Sequence, residues 1–185
     1  LHLSIRRQRQ MCIRDRYFIE NFAINYKGLK NTIIHKIYLL SNDIINTCNN
    51  IIKEFPTLIH RDLQSTNIIF YKQKAYFIDF QGLMIGNFLY DLASLLEDPY
   101  VSLPYKMKYL LLDSFFYFNH NFSKYKRYYK YFKIQRLVQV LGAFAYLSIH
   151  KNKDFFIENL KKTLSLVQYW KVERDYLAYL LDYLE

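Results

Sequence analysis

Asp62, Asn67 and Asp79 are the residues of this chain whose types and spacing could do chemistry. Residues 68–71 and 75–78 are β-prone runs separated by Lys72, Gln73 and Lys74, which reads as a hairpin. A three-residue turn there pairs Tyr71 with Ala75 and, counting back, Asn67 with Asp79. Directly opposed residues in such a ribbon have Cβ atoms about 4.5–5.5 Å apart, so an amide oxygen and a carboxylate meet at its open end. Hard oxygens so placed suit Mg²⁺, which takes one or two carboxylates and completes its shell with phosphate and water. Asp62 precedes Asn67 on the connecting loop and can reach the same end. A carboxylate beside a metal–phosphate site is placed to orient a hydroxyl and accept its proton.

The elements around these residues read as helices. Apolar positions from Ile33 to Phe55 recur at three- and four-residue steps, one face of a helix over residues 29–55 that Pro56 stops. Residues 57–59 are a short extended run. Asn87 caps a helix to Leu96, Pro104 opens another to Phe118, and residues 124–150, 154–170 and 173–184 complete the set. No repeat, low-complexity tract or linker interrupts them, so one mostly helical unit with a small hairpin near its front is expected.

Composition narrows the function classes. The chain has 185 residues, 52% apolar and 23% charged, as in a folded globular protein rather than a disordered one. Its longest nearly uncharged apolar stretch, residues 137–149, is shorter than the roughly 17–25 residues of a membrane span and reads as a buried helix. Cys12 and Cys48 cannot make a disulfide framework, which fits a reducing, cytoplasmic setting. Only four glycines are present, which excludes a glycine-rich phosphate loop within these residues. The net charge of +10 is inflated by residues 1–16, which hold five arginines against one aspartate; the remainder stands at +6 and is mostly lysine on its basic side. The string MCIRDR at residues 11–16 resembles translated sequencing-adapter sequence. Residues 1–16 are therefore set apart from the fold as a non-native or disordered segment, with the native N-terminus expected upstream and the domain at residues 17–185.

His60-Arg61-Asp62-Leu63 followed by Asn67 resembles the kinase catalytic-loop signature H-R-D-L-x-x-x-N, and Ile78-Asp79-Phe80 stands where the metal-binding Asp-Phe-Gly lies in kinases. The longer string IDFQG…YDLASLLEDPY is similar to the aminoglycoside phosphotransferase superfamily. Within it, the sequence most resembles bacterial sugar kinases that phosphorylate the anomeric hydroxyl of N-acetylmuramate and N-acetylglucosamine in peptidoglycan recycling. The resemblance covers residues 17–185 and is strongest over 58–100. It implies an α+β, protein-kinase-like fold, of which this chain is the C-terminal lobe, mostly helical with a small catalytic β-hairpin. It also implies Asp62 as catalytic base, Asn67 and Asp79 holding Mg²⁺ between the ATP phosphates, and Asp91 bracing the catalytic loop through its backbone. His60 and Arg61 would support the loop rather than touch substrate.

Two departures refine this. Gln81 occupies the position that is glycine in protein kinases, with Gly82 one place later, which favours the small-molecule branch. Nothing upstream of Asp62 supplies a glycine-rich loop or a strand lysine with its helix glutamate, the parts that grip the β- and γ-phosphates. Residues 17–56 are too few and too helical for a five-stranded N-terminal lobe, so that lobe is expected to be missing and the fragment inactive alone.

Weaker features have bland explanations close at hand. Residues 124–133 interleave cations with aromatics as nucleic-acid binders do, but a helix with lysines to water and aromatics to the core looks the same, so a nucleic-acid partner is not expected. Glu97, Asp98 and Tyr100 could contact a sugar, or could simply form a polar helix end. His35, His120 and His150 lack metal-ligand spacing, and Trp170 has no assignable role. Two functions from different classes follow. One is ATP- and Mg²⁺-dependent phosphorylation of a small hydroxylated substrate, an amino sugar by resemblance. The other is a non-catalytic basic helical module binding nucleic acid or a partner protein.

Overall fold

The recurring isoleucines between Ile33 and Ile52 form helix α1, Asn31–Glu54, which ends just before Pro56. The structure, a computed structural model, describes residues 17–151 and 154–169. The helix expected over residues 173–184, Trp170 and the segment 1–16 lie outside the described residues. In chain order the other elements are β1 (Thr57–Ile59), β2 (Ile68–Tyr71), β3 (Lys74–Phe77), β4 (Met84–Gly86), α2 (Phe88–Leu96), α3 (Tyr105–Phe118), α4 (Tyr129–Lys151) and α5 (Asp154–Tyr169). The chain divides into two units, one holding residues up to Asn49 and from Leu137 onward, the other Asn50–Arg136. Helices α1 and α4 contribute to both.

The first unit holds an element the sequence reading did not foresee, a π-helix at Ile19–Tyr26. It closes with the Lys27 N–H donating to the Phe22 carbonyl at 2.9 Å, a five-residue step. Phe18 and Phe22 stack at 5.3 Å and are fully buried. A Cβ on Gly142 of α4 would stand 2.9 Å from the Phe18 Cα and 3.0 Å from its nitrogen. Backbone cannot swing aside as a side chain can, so only glycine lets α4 approach residue 18 this closely. Gly142→Ala is therefore expected to destabilise this unit by about 1–3 kcal/mol, as overpacking does elsewhere. Urea unfolding followed by circular dichroism measures it, and an unchanged midpoint would show that the two backbones part at no cost.

The second unit carries all the candidate residues. Strands β1 and β4 pair antiparallel, with Thr57 opposite Gly86 and Ile59 opposite Met84. This short ladder joins the two ends of the segment that holds Asp62, Asn67 and Asp79. Asn87 reinforces the closure. Fully buried, it donates from Nδ2 to the Phe55 carbonyl at 2.8 Å and accepts from the Leu89 N–H at 3.1 Å, capping α2. Beneath lies an aromatic cluster in which Phe55 meets Tyr125 at 5.1 Å and Phe88 meets Phe122 at 5.4 Å. Helix α4 starts at Tyr129, later than the expected Lys124, because His120–Tyr128 winds as a 3₁₀-helix. No helix among the described residues is long and apolar enough to cross a membrane.

Candidate active site

The β2–β3 hairpin turns on two residues, not three. Lys72 and Gln73 both adopt positive φ, 47° and 62°, the backbone pattern of a tight I′-type turn. Tyr71 therefore pairs with Lys74 and Ile68 with Phe77, and the Ile78 N–H donates to the Asn67 carbonyl at 3.0 Å. This corrects the expected Asn67–Asp79 pairing: Asn67 stands opposite Ile78, and Asp79 lies one residue beyond. In a regular strand a one-residue slip would turn the side chain to the other face. Asp79 leaves the strand instead, in the left-handed region at φ 63°, ψ 36°, so strand alternation does not set its direction. Aspartate tolerates that region better than most residues.

The loop from His60 to Asn67 hangs on three carboxylates. Asp91 of α2 accepts the His60 N–H at 2.6 Å on one oxygen and the Arg61 N–H at 2.9 Å on the other. Arg61 itself sits at φ 79°, a conformation that needs such an anchor. Burial pushes the Asp91 carboxyl above its usual range, partly offset by these two N–H donors. Asp98 accepts the Ser65 N–H at 2.6 Å and the Tyr100 N–H at 2.9 Å. The third carboxylate is Asp62 itself, which takes Arg136 Nη2 on Oδ1 at 2.9 Å. His60 is buried, and its Nε2 donates to the Ile78 carbonyl at 2.9 Å, tying the loop to the hairpin. A carbonyl can only accept, so Nε2 carries the hydrogen.

Asn67 and Asp62 are bound to each other. The Asn67 Nδ2 donates to the Asp62 carbonyl at 2.8 Å, which leaves Oδ1 as the amide's remaining polar atom. Asp62 has a half-exposed side chain, with Oδ1 the oxygen that Arg136 engages. Asp79 is exposed, and the Gln81 amide donates to its Oδ1, leaving Oδ2. The Tyr100 hydroxyl is held above its usual range by burial, then by the Asp98 and Asp62 carboxylates, and so stays a protonated donor beside Asp62.

Residues 34–105 match the phosphotransferase enzyme family. The matched stretch contains β1, the His60–Asn67 loop, the hairpin, Asp79, Asp91 and Asp98, and the match supports a kinase-type enzyme of the superfamily the motifs resemble. No curated protein matches the chain.

Asn67 and Asp79 offer oxygens that could hold a hard divalent cation. Asn67 Oδ1 and Asp79 Oδ2 are two oxygens, the number Mg²⁺ takes from protein when phosphates supply the rest. Among the described residues no group of three His, Cys, Asp or Glu could hold a metal.

Two expected substrate contacts are differently used. Glu97 is buried, with Lys108 Nζ on Oε2 at 2.5 Å and the Tyr129 hydroxyl donating to Oε1 at 3.4 Å. Burial and then this carboxylate push Tyr129 well above the ordinary tyrosine range. Asp98, buried as well, accepts one of the two backbone N–H groups above on each of its oxygens. Both acids hold the loop and helices together and neither is open to a sugar; Tyr100 alone of the three is partly exposed. The cation–aromatic run is likewise occupied. Lys124 pairs with Glu54 at 3.0 Å, Lys126 with Asp113 at 2.6 Å, and Lys133 is buried 3.9 Å from Glu97. Arg136 and Gln64 were missed by the sequence reading. Only the short spacing from Asp62 to Gln64 hinted at the latter, and nothing hinted at the former.

Proposed function

We propose that this chain carries the catalytic loop and metal-binding hairpin of an ATP- and Mg²⁺-dependent kinase that phosphorylates a hydroxyl of a small substrate, an amino sugar of the cell-wall recycling type. The observation that carries this reading is the bond from the Asn67 amide to the Asp62 backbone carbonyl on a loop hung from Asp91, which ties the amide to the residue that bears the carboxylate. Asp62, with Oδ1 engaged by Arg136, offers Oδ2 to the acceptor hydroxyl. It would orient that oxygen toward the γ-phosphorus and take its proton as the new bond to phosphorus forms and the bond to the β–γ bridging oxygen breaks, releasing ADP. Mg²⁺ on Asn67 and Asp79 would neutralise the charge on the transferred phosphoryl group. Tyr100, partly exposed, would hydrogen-bond the acceptor in this reading. The basic balance of the body of the chain favours a neutral or anionic sugar over a cationic aminoglycoside, which would call for an acidic cleft.

The hairpin supports a second part of the proposal, that further polypeptide packs against it and grips the ATP phosphates. Phe70 is 77% and Phe80 61% exposed, with Leu58, Ile69, Tyr76 and Phe77 also open, so apolar side chains are exposed on both faces of the ribbon. Residues 17–185 alone are therefore expected to show negligible ATP turnover, and brisk turnover would show that the lobe assignment is wrong. The substrate is tested on the full-length protein with ATP, Mg²⁺ and a panel of N-acetylmuramate, N-acetylglucosamine, an aminoglycoside and choline. An acid-labile sugar phosphate is expected, since anomeric phosphates hydrolyse in mild acid. Phosphorylation of choline or the aminoglycoside alone would move the chain to another branch.

A further inference from the structure

We propose that Arg136 is the positioning residue for Asp62, holding one carboxylate oxygen so that the other alone faces the acceptor; this rests on the kinase reading above. Arg136 belongs to α4, far along the chain from the catalytic loop and outside the stretch that matches the family. Its side chain is almost wholly buried, yet its Nη2 reaches a carboxylate that is 46% exposed. The same nitrogen donates to Gln64 Oε1 at 3.2 Å, and Tyr90 also hydrogen-bonds the guanidinium.

The asymmetry of this pair is the argument. A buried guanidinium is costly, and a well-packed apolar side chain of similar volume is often as stable or more so. A half-exposed anion, by contrast, keeps a side accessible to a ligand. Here the cation is fixed in the interior by Tyr90 and Gln64, while the anion stands at the surface of the loop. Asp62 is thus gripped at both ends, its carbonyl by Asn67 Nδ2 at 2.8 Å and its Oδ1 by Arg136 at 2.9 Å. That leaves its side chain little torsional freedom and assigns Oδ2 to the acceptor. Reactions of this kind depend steeply on such placement, with a 1 Å displacement costing on the order of 10²-fold. The guanidinium also delivers its two donor contacts from one planar nitrogen, which a lysine ammonium on a flexible stem reproduces only in part.

The test uses full-length protein, with Arg136→Met and Arg136→Lys each made in the wild-type and Asp62→Asn backgrounds, and steady-state kcat and KM for ATP measured. Arg136→Met is expected to lower kcat about 10²-fold with KM for ATP within twofold, and Arg136→Lys to recover part of the loss. In the Asp62→Asn background the same changes are expected to cost little more, because residues that act as one unit are not additive. An equal loss in both backgrounds, or a wild-type kcat in Arg136→Met or Arg136→Lys, overturns the inference. Should Arg136→Met fail to fold, Arg136→Lys carries the comparison alone. An Asp62→Asn protein that turns over normally would instead overturn the kinase reading itself.

Discussion

Asp62→Asn is expected to lower phosphoryl transfer by about 10²–10⁴-fold, the range that a positioned general base contributes, while the protein stays folded. Asparagine has the same shape, so its Oδ1 can still accept from Arg136 Nη2, the contact seen at 2.9 Å. Its carbonyl can still receive Asn67 Nδ2. What is lost is the second anionic oxygen. The NH₂ group in its place cannot take a proton and meets the acceptor hydroxyl as a donor. The buried Arg136 loses its countercharge, but that charge sat at a half-exposed carboxylate where solvent already screens it. A small fall in melting temperature is therefore expected beside the large fall in kcat. A melting temperature that collapses together with activity would mean that Asp62 serves the fold, and an unchanged kcat would remove it from the chemistry.

Asp79→Asn is expected to cost at least ~10²-fold in turnover, because a metal ion clamping a transferring phosphoryl group supplies several kcal/mol of charge stabilisation. The substitution isolates charge from shape. Asparagine, like aspartate, adopts the left-handed backbone found at residue 79, and the neighbouring Gln81 can still pair with the side-chain oxygen. The fold has little reason to change at so exposed a position. The loss should appear mainly as weaker dependence on the divalent ion: the Mg²⁺ concentration giving half-maximal rate rises, and excess Mg²⁺ restores part of kcat. Titration of rate against Mg²⁺ checks this. A variant with wild-type Mg²⁺ dependence would show that the carboxylate does not hold the ion.

Local signals made much of this arrangement legible. Pro56, Asn87 and Pro104 stand where α1 ends, α2 is capped and α3 begins, since each acts through its own backbone or its immediate neighbours. Asp62, Asn67 and Asp79 stood out because they lie within one short stretch, and the structure ties the Asn67 amide to the Asp62 backbone carbonyl. What failed was non-local or ambiguous. Lys72-Gln73 has none of the Asn-Gly character that marks a tight turn, so the hairpin register was read one residue out. The β1–β4 pair is three residues a side and joined across the whole catalytic segment, leaving no periodicity to detect. The π-helix at Ile19–Tyr26 follows a five-residue step that α-helical templates miss. Glu97 and Asp98 carry the composition of an exposed helix end, and only their partners Lys108, Ser65 and Tyr100 reveal them as interior. Arg136 could not be found at all: among many cations, nothing local distinguishes the one that meets a carboxylate in another part of the chain.

Locating the ion tests the central claim most directly. Crystals of the full-length protein grown with Mn²⁺ and a non-hydrolysable ATP analogue give an anomalous signal that needs no assumption about the ligands. The expected peak lies within bonding reach of Asn67 Oδ1 and a carboxylate oxygen of Asp79, with the analogue's phosphates completing the shell and Asp62 Oδ2 facing the terminal phosphate. A nucleotide-bound ion that touches neither residue 67 nor residue 79 would contradict the account.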